Sequence, residues 1–505
     1  MKLKLLRRGV QIASLLFFVY LLVQTTWPLR APPDVGLYLR ADPLAGLAVA
    51  LSPGRSWAVV QQFWPALVVL LGAALMGRVY CGWVCPLGTC VDGADALLRR
   101  KRRGQGRKVG LLVLVGSLTA ALFGTHLFWL FDPIPLITRT FATAADPAGR
   151  WLYNLGVIHG YGTLREAGLR LSPVAARGFA MGLETAVVFL VVLALGLLGK
   201  RYWCRNLCPL GALLGLAGKV ALWRRRVAES CTSCGRCVKG CPMGAIAQDG
   251  HATDPVECIE CLDCVRVCPQ GSVSFGVGGA PAAAAVGDPG RREFLAVGTA
   301  GIGYGLLARW GLREQDARLL RPPGAIVRGG TGAVERMMSE GEFRAKCLRC
   351  GQCMKACPTG GLQPAVGQAG LEGFYTPVLV PRKGWCEQNC AACGLVCPSG
   401  ALAPFAVEEK RGIRIGEARI DHDRCLAWGQ GEAYRECLVC NEHCSYGAIR
   451  IWRDGAQQRP VVEGRHCVGC GLCEAVCPVK TEAAIVVYRR RGQWPLPQTS
   501  STGYR

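Results

Sequence analysis

Histidine is scarce in this sequence, with six residues in 505. Cys-x-x-Cys-His does not occur, so no c-type haem is attached to the chain. His126 alone falls inside a long apolar run, which leaves a bis-histidine haem at membrane depth unsupported. No P-loop, Rossmann glycine fingerprint or His-Glu-x-x-His is present. Gly329-Gly330-Thr331-Gly332 is glycine-rich but follows no convincing strand. Acidic residues are also few, 35 against 59 basic ones, for a net charge of +24. No nucleic-acid motif accompanies that charge. The basic residues cluster beside apolar runs, which points to membrane loops rather than nucleic acid.

What the sequence does have is cysteine. Twenty-four of its 29 cysteines fall into six runs of four. Four runs are regular: Cys231, Cys234, Cys237, Cys241; Cys258, Cys261, Cys264, Cys268; Cys347, Cys350, Cys353, Cys357; and Cys467, Cys470, Cys473, Cys477. Each reads C-x2-C-x2-C-x3-C and is followed by proline, the ligand spacing of bacterial-type [4Fe-4S] clusters. Two runs are variants: Cys386, Cys390, Cys393, Cys397, followed by proline, and Cys425, Cys437, Cys440, Cys444, which is not. Zinc sites use C-x2-C pairs separated by a longer loop, and disulfide frameworks belong to small secreted domains, so neither fits. Six [4Fe-4S] clusters in one chain imply electron transfer. In two-cluster ferredoxins the fourth cysteine of a run ligates the neighbouring cluster. Cys231, Cys234, Cys237 and Cys268 are therefore expected to hold one cluster, and Cys258, Cys261, Cys264 and Cys241 the next.

Four long apolar segments occupy the first 200 residues, at about Val10–Trp27, Ala58–Gly77, Val109–Phe131 and Phe179–Gly199. Each approaches the ~20 residues needed to span a bilayer. Trp27, Trp57 and Trp129 sit near their edges, as an interfacial aromatic belt requires. Basic residues gather at the N-terminus (Lys2, Lys4, Arg7, Arg8), after the second run (Arg99–Lys108) and after the fourth (Lys200, Arg201, Arg205, Arg224–Arg226). By the positive-inside rule those ends face the cytoplasm, together with the ferredoxin module that follows. A Gly/Ala/Pro-rich linker at 276–290 leads to Arg291-Arg292-Glu293-Phe294-Leu295 and a modest apolar run to Ala308, a Tat-type export signal in mid-chain. No clear cleavage site follows, so this segment is expected to stay as a fifth anchor.

The expected fold is thus a membrane α-helical protein, a four-span unit plus one Tat-type anchor, carrying small α+β bacterial-ferredoxin-like domains. The expected domains are a membrane domain at 1–226, a cytoplasmic two-cluster ferredoxin at 227–275, the linker, signal and anchor at 276–312, and a periplasmic four-cluster ferredoxin at 313–505. The expected location is the bacterial cytoplasmic membrane, multi-pass.

Two stretches carry a family resemblance. Cys81-Gly-Trp-Val-Cys85-Pro86 and Cys204-Arg-Asn-Leu-Cys208-Pro209, placed after the second and fourth runs and followed by a two-cluster ferredoxin, resemble the NapH type of membrane ferredoxin. Phe131-Asp132-Pro133 fits that type loosely. Leu320-Arg321-Pro322-Pro323-Gly324-Ala325, then Cys347-Leu-Arg-Cys350-Gly351-Gln352-Cys353 and Cys357-Pro358-Thr359, resemble the NapG/MauM type of periplasmic four-cluster ferredoxin. The chain therefore looks like the two fused. The resemblance implies a quinol dehydrogenase component that draws on the membrane quinone pool. It feeds a periplasmic reductase or multihaem c-type cytochrome, alone or beside other membrane redox subunits. No molybdopterin- or nitrate-binding signature is evident, so the terminal reductase is another protein. The resemblance also implies nested cluster pairs in the second half: Cys347, Cys350, Cys353 with Cys477; Cys467, Cys470, Cys473 with Cys357; Cys386, Cys390, Cys393 with Cys444; and Cys425, Cys437, Cys440 with Cys397.

Three points stay open at this level. Cys81, Cys85, Cys204 and Cys208 could hold a further iron–sulfur centre, form a thiol/disulfide pair, or be structural. Cys90 reads as an ordinary buried thiol. His126 and Asp132, near Trp129 and Arg139, are candidates for the quinol site, because quinol oxidation releases protons and ionisable groups at membrane depth are costly. The alternative is that His126 bonds a neighbouring helix and Asp132 caps a turn before Pro133. Two other functions compete with quinol oxidation: wiring within a larger membrane redox complex, and electron supply for maturation of a periplasmic metalloenzyme.

Overall fold

The computed structural model describes residues 2–29, 35–53, 57–98, 109–126, 128–160, 171–278, 290–310, 318–329 and 334–489. The basic stretch 99–108, most of the linker 276–290 and residues 330–332 of the glycine-rich stretch lie outside the described residues. The chain divides into two units. The first comprises residues 1–24, 31–145 and 182–311; the second comprises 25–30, 146–181 and 312–505.

In the first unit the apolar runs become helices of unequal length. Lys2–Gln24 is one uninterrupted helix, and its Lys4–Gln24 part is long and apolar enough to cross a membrane. The second run breaks at Gln62–Phe63, and a helix of 13 residues restarts at Trp64–Met76. Pro65 sits in its first turn, where the missing N–H costs nothing. The third run gives the helix Gly110–Leu122, then Gly124 turns the backbone at φ +78° and a 3-10 turn follows at Phe128–Leu130. The fourth begins at Gly182 and continues to Leu197. At 13 to 16 residues these three are shorter than the ~20 that a straight helical span needs. Their outer faces nonetheless expose large apolar side chains, among them Leu67, Leu71, Leu75, Val187, Leu190 and Val191.

The helix Arg291–Trp310, which carries the twin-arginine sequence, lies against Gly110–Leu122. The contact is close because it is made by small residues: a Cβ on Gly301 would meet Gly116 and Thr119, and one on Gly116 would lie 3.1 Å from Val297 Cγ1.

The first ferredoxin is closed by an antiparallel pair, Trp223–Val227 with Val273–Val277, in the register Trp223↔Val277. Two one-turn helices, Arg236–Gly240 and Asp263–Val267, pack between them around Val238, Ile246 and Val273. In the second unit the helix Asp146–His159 is the long element, and from residue 318 onward the same economy returns: short helices of four to seven residues and four separate two-stranded antiparallel sheets among the described residues. Loops dominate because cysteine runs, not long elements, organise the interior.

Candidate iron–sulfur sites

The four regular runs share one backbone device. The residue after the second cysteine is left-handed and starts the one-turn helix that carries the third. Glycine fills the position at Gly235 (φ +68°), Gly351 (φ +80°) and Gly471 (φ +83°), where its lack of Cβ makes that φ cheap. Leu262 (φ +62°) holds the same conformation against its own steric preference. The two variant runs keep ordinary φ values at Ala391 (−120°) and Leu438 (−118°), so their loops wrap differently.

The runs exchange their fourth cysteines in pairs. Cys231, Cys234 and Cys237 line one cavity with Cys268. Cys241 lies with Cys258, Cys261 and Cys264. Both match the spacing argument. In the second unit the nested arrangement is not what the structure has. Cys357 lines a cavity with Cys386, Cys390 and Cys393, and Cys444 lines one with Cys467, Cys470 and Cys473. Cys397 lies beside Cys347, Cys350 and Cys353, and Cys477 beside Cys425, Cys437 and Cys440. The runs therefore pair in chain order, first with second and third with fourth. The physical reason is loop closure: each pair is closed by the short segment that joins consecutive runs, whereas nesting would tie the first run to the last across all the chain between them. The two pairs meet where the Cys386 N–H donates to the Cys470 carbonyl at 2.8 Å.

These pockets fit a cubane by donor chemistry. Burial pushes the thiols up, Cys347 to about 11 and Cys350, Cys440 and Cys470 to about 12, so as free thiols they would stay protonated at neutral pH. A bound metal takes the place of those protons. Backbone N–H groups donate to the sulfurs, from Ala245 to Cys241 (3.4 Å), Leu402 to Cys397 (3.4 Å), Ala448 to Cys444 (3.3 Å) and Ala418 to Cys467 (3.4 Å), which favours negative sulfur. Pro322 and Pro323 of the Leu320–Ala325 motif line the Cys357 cavity.

The two C-x3-C-P motifs are brought together as well. Cys81, Cys85, Cys204 and Cys208 converge, with Cys85 and Cys208 buried. Cys85 and Cys208 each stand at the start of a helix, accepting from Gly88 N–H (3.4 Å) and Gly211 N–H (3.2 Å). An arginine three residues before each motif reaches across to the other. Arg78 donates to the Cys204 carbonyl (3.4 Å) and Arg201 to the Cys81 carbonyl (3.1 Å). Arg201 is fully buried and paired with Asp92 at 2.6 Å. The sequence reading missed this reciprocity, although the matching Arg-x-x-Cys spacing was its signal. Cys81 also packs with Cys241, Cys258 and Cys261 around Met243, Ala245 and Ile259, so the set adjoins the first ferredoxin. Cys90 is half-buried on the helix Pro86–Leu98, not fully enclosed.

At the proposed quinol site, His126 and Asp132 are both buried, and the Arg139 guanidinium lies 4.9 Å over the Trp129 ring. Asp132 does cap the helix Pro133–Thr140, accepting from Ile134 N–H at 3.3 Å. Its carboxyl also faces Asp42, which sequence reasoning did not single out. Asp42-Pro43 repeats Asp132-Pro133, and that repeat was the available signal.

These sites define an iron–sulfur electron-transfer protein with several [4Fe-4S] domains. A 4Fe-4S binding domain matches residues 63–104 and 181–228, which hold the two C-x3-C-P motifs. 4Fe-4S dicluster domains match 230–273 and 435–481, and a further 4Fe-4S binding domain matches 343–363. The ferredoxin-type protein NapG of Escherichia coli (strain K12) is 38% identical over 216 residues, 39% of this chain and 85% of the relative. The methylamine utilization ferredoxin-type protein MauN of Methylorubrum extorquens is 32% identical over 251 residues, 47% of this chain and 73% of the relative. The corresponding protein MauM of Methylophilus methylotrophus is 32% identical over 219 residues, 40% and 88%. The chain belongs to this family of ferredoxin-type proteins, NapG, MauM and MauN.

Proposed function

We propose that the chain is a multi-pass membrane protein that oxidises quinol and delivers the electrons to a periplasmic redox partner. It joins a NapH-type membrane ferredoxin to a NapG/MauM-type exported ferredoxin. One observation carries the membrane reading: the helices that lead into Cys81, Cys85, Cys204 and Cys208 are apolar throughout and expose large apolar side chains on their outer faces, as helices in contact with lipid do. Supporting it, segment 146–181, between the third and fourth runs, is part of the second unit, whereas Arg78 and Trp83 after the second run and Gly215 after the fourth pack on the first ferredoxin. Lys355 pairs with Asp146 at 2.9 Å, and the Arg177 guanidinium donates to the Lys355 carbonyl at 2.6 Å, which ties the helix Gln352–Ala356 to that segment.

The cysteine groups that come together would hold six [4Fe-4S] clusters, and the C-x3-C-P set one further iron–sulfur centre. When bound, such groups take up and release single electrons. The chain's own residues supply the thiolates, the N–H donors that stabilise negative sulfur, and the buried packing that keeps water away. His126 and Asp132 would receive quinol's protons.

Iron analysis and EPR on anaerobically purified protein test this. Six cubanes give about 24 iron atoms per chain, and a seventh gives about 28. A quinol analogue should reduce a share of the EPR-visible centres within the turnover time. Centres that dithionite reduces and quinol does not would overturn quinol oxidation while leaving the iron–sulfur assignment intact.

A further inference from the structure

Asp42 and Asp132 are each wholly buried, at 0% exposure, in the first unit. Each stands before a proline at the start of a helix, Pro43–Leu51 and Pro133–Thr140. Each uses Oδ1 for its own helix: Asp42 accepts from Leu44 N–H (2.9 Å) and Ala45 N–H (3.4 Å), Asp132 from Ile134 N–H (3.3 Å). Each Oδ2 is buried without a donor among the described residues, and the two carboxyls face each other. The Tyr80 hydroxyl, also buried without a partner among the described residues, lies on the Asp42 side. Arg139 lies on the Asp132 side.

Capping alone does not explain this. A cap needs one oxygen, and two helix starts could be placed apart. Two ionised carboxylates in contact and out of water repel strongly, so one of them must be protonated, and the proton is then shared across the gap. A pair that holds one proton and one negative charge can accept a second proton without moving any backbone.

We propose that Asp42 and Asp132 form a single proton-holding pair that takes up the protons released by quinol. This rests on the quinol reading above. Quinol loses two electrons to oxidised iron–sulfur centres and two protons from its hydroxyl groups. One O–H bond breaks as its proton passes to the ionised carboxyl oxygen of the pair. The pair returns that proton to water before it receives the second, and quinone leaves.

Asn caps helices as well as Asp does, so Asp42→Asn and Asp132→Asn keep both helix starts while removing the shared proton. The experiment uses the full-length protein with its centres intact, a quinol analogue as donor and dithionite as control. Either substitution should slow quinol-driven reduction about 100-fold, and the double variant should be no slower than either single one, because the residues act as a unit. Dithionite should reduce all variants alike. In infrared difference spectra on reduction, a protonated-carboxyl band that shifts in heavy water should vanish in both single variants. If Asp42→Asn is reduced by quinol at the wild-type rate, or only one variant loses the band, the pair is refuted and quinol oxidation stands. If quinol fails to reduce the wild type, both fall together.

Discussion

Arg321 is buried to 4% exposure and orders one corner of the C-terminal unit. It pairs with buried Glu340 at 2.6 Å, donates to Thr376 Oγ1 (2.9 Å) and the Pro377 carbonyl (2.8 Å), and lies 4.6 Å over the Phe343 ring. Its neighbours Pro322 and Pro323 thereby reach the Cys357 cavity. Glu340 also meets the part-exposed Arg489 at 3.2 Å, so removing Arg321 leaves its charge only partly compensated, while replacing both buried partners leaves only the part-exposed Arg489 without its carboxylate. Arg321→Met should therefore lower the stability of this unit by about 2 kcal/mol, and Arg321→Met with Glu340→Leu should recover part of it. Thermal unfolding of the two variants checks this; equal losses would show that the ion pair is not what matters. The Leu320–Ala325 motif was visible in the sequence as a family signature, but its purpose was not. Its ion-pair partner lies 19 residues on, beyond any local pattern. Asp42 carried a local signal, the Asp-Pro pair it shares with Asp132, but that the two meet is not legible locally, because they stand 90 residues apart in sequence.

The elements around the C-x3-C-P motifs are built for close approach. A Cβ on Gly82 would strike the Ile259 carbonyl, and one on Gly215 would lie 2.5 Å from the Val256 carbonyl. Both contacts are with the ferredoxin backbone, which cannot swing aside as a side chain can. Gly215→Ala should thus loosen the first ferredoxin from its helices by about 1–3 kcal/mol, the usual cost of overpacking. Gly93→Ala, on an adjacent helix with nothing within 4 Å of its Cβ, is the control and should be neutral or slightly stabilising. Limited proteolysis between residues 223 and 277 reads the difference. Equal resistance in the two variants would mean that this contact does not hold the module. At this scale the sequence spoke unevenly. Cysteine spacing announced the first ferredoxin and its pairing, because the ligands are close in the chain. It did not announce which fourth cysteine closes each pocket of the second unit, because that depends on how loops between runs fold. Nor did the apolar runs disclose where their helices break, at Gln62–Phe63 and Gly124, since a hydropathy window averages over such residues.

At the scale of the whole molecule, the arrangement turns on the segment around Arg291 and Arg292. The first ferredoxin precedes it and the four cysteine runs of the second unit follow it, so export through that segment would carry the second set of cysteine sites across the membrane and leave the first behind. The helix Arg291–Trp310 meets Gly110–Leu122 through Gly116 and Gly301, a small-residue contact suited to helices that remain together in lipid. On the proposed membrane reading, this contact is what would keep the segment in place as an anchor. A reporter fused after residue 275 should score cytoplasmic and one after residue 500 periplasmic. Replacing Arg291 and Arg292 by Lys removes the twin-arginine signal but keeps the charge, so positive-inside orientation is unchanged while export should stop. In that variant both reporters should score cytoplasmic. If both already do so in the unaltered chain, the C-terminal unit stays on the side of the first ferredoxin and no periplasmic partner can receive its electrons. If the Lys variant is exported as before, the helix acts as an ordinary stop-transfer span, and the C-terminal sites would have to be filled with iron and sulfide after crossing. Measuring cluster content of the periplasmic reporter fusion separates those two routes, because the twin-arginine pathway moves folded, loaded protein and a threaded chain arrives empty.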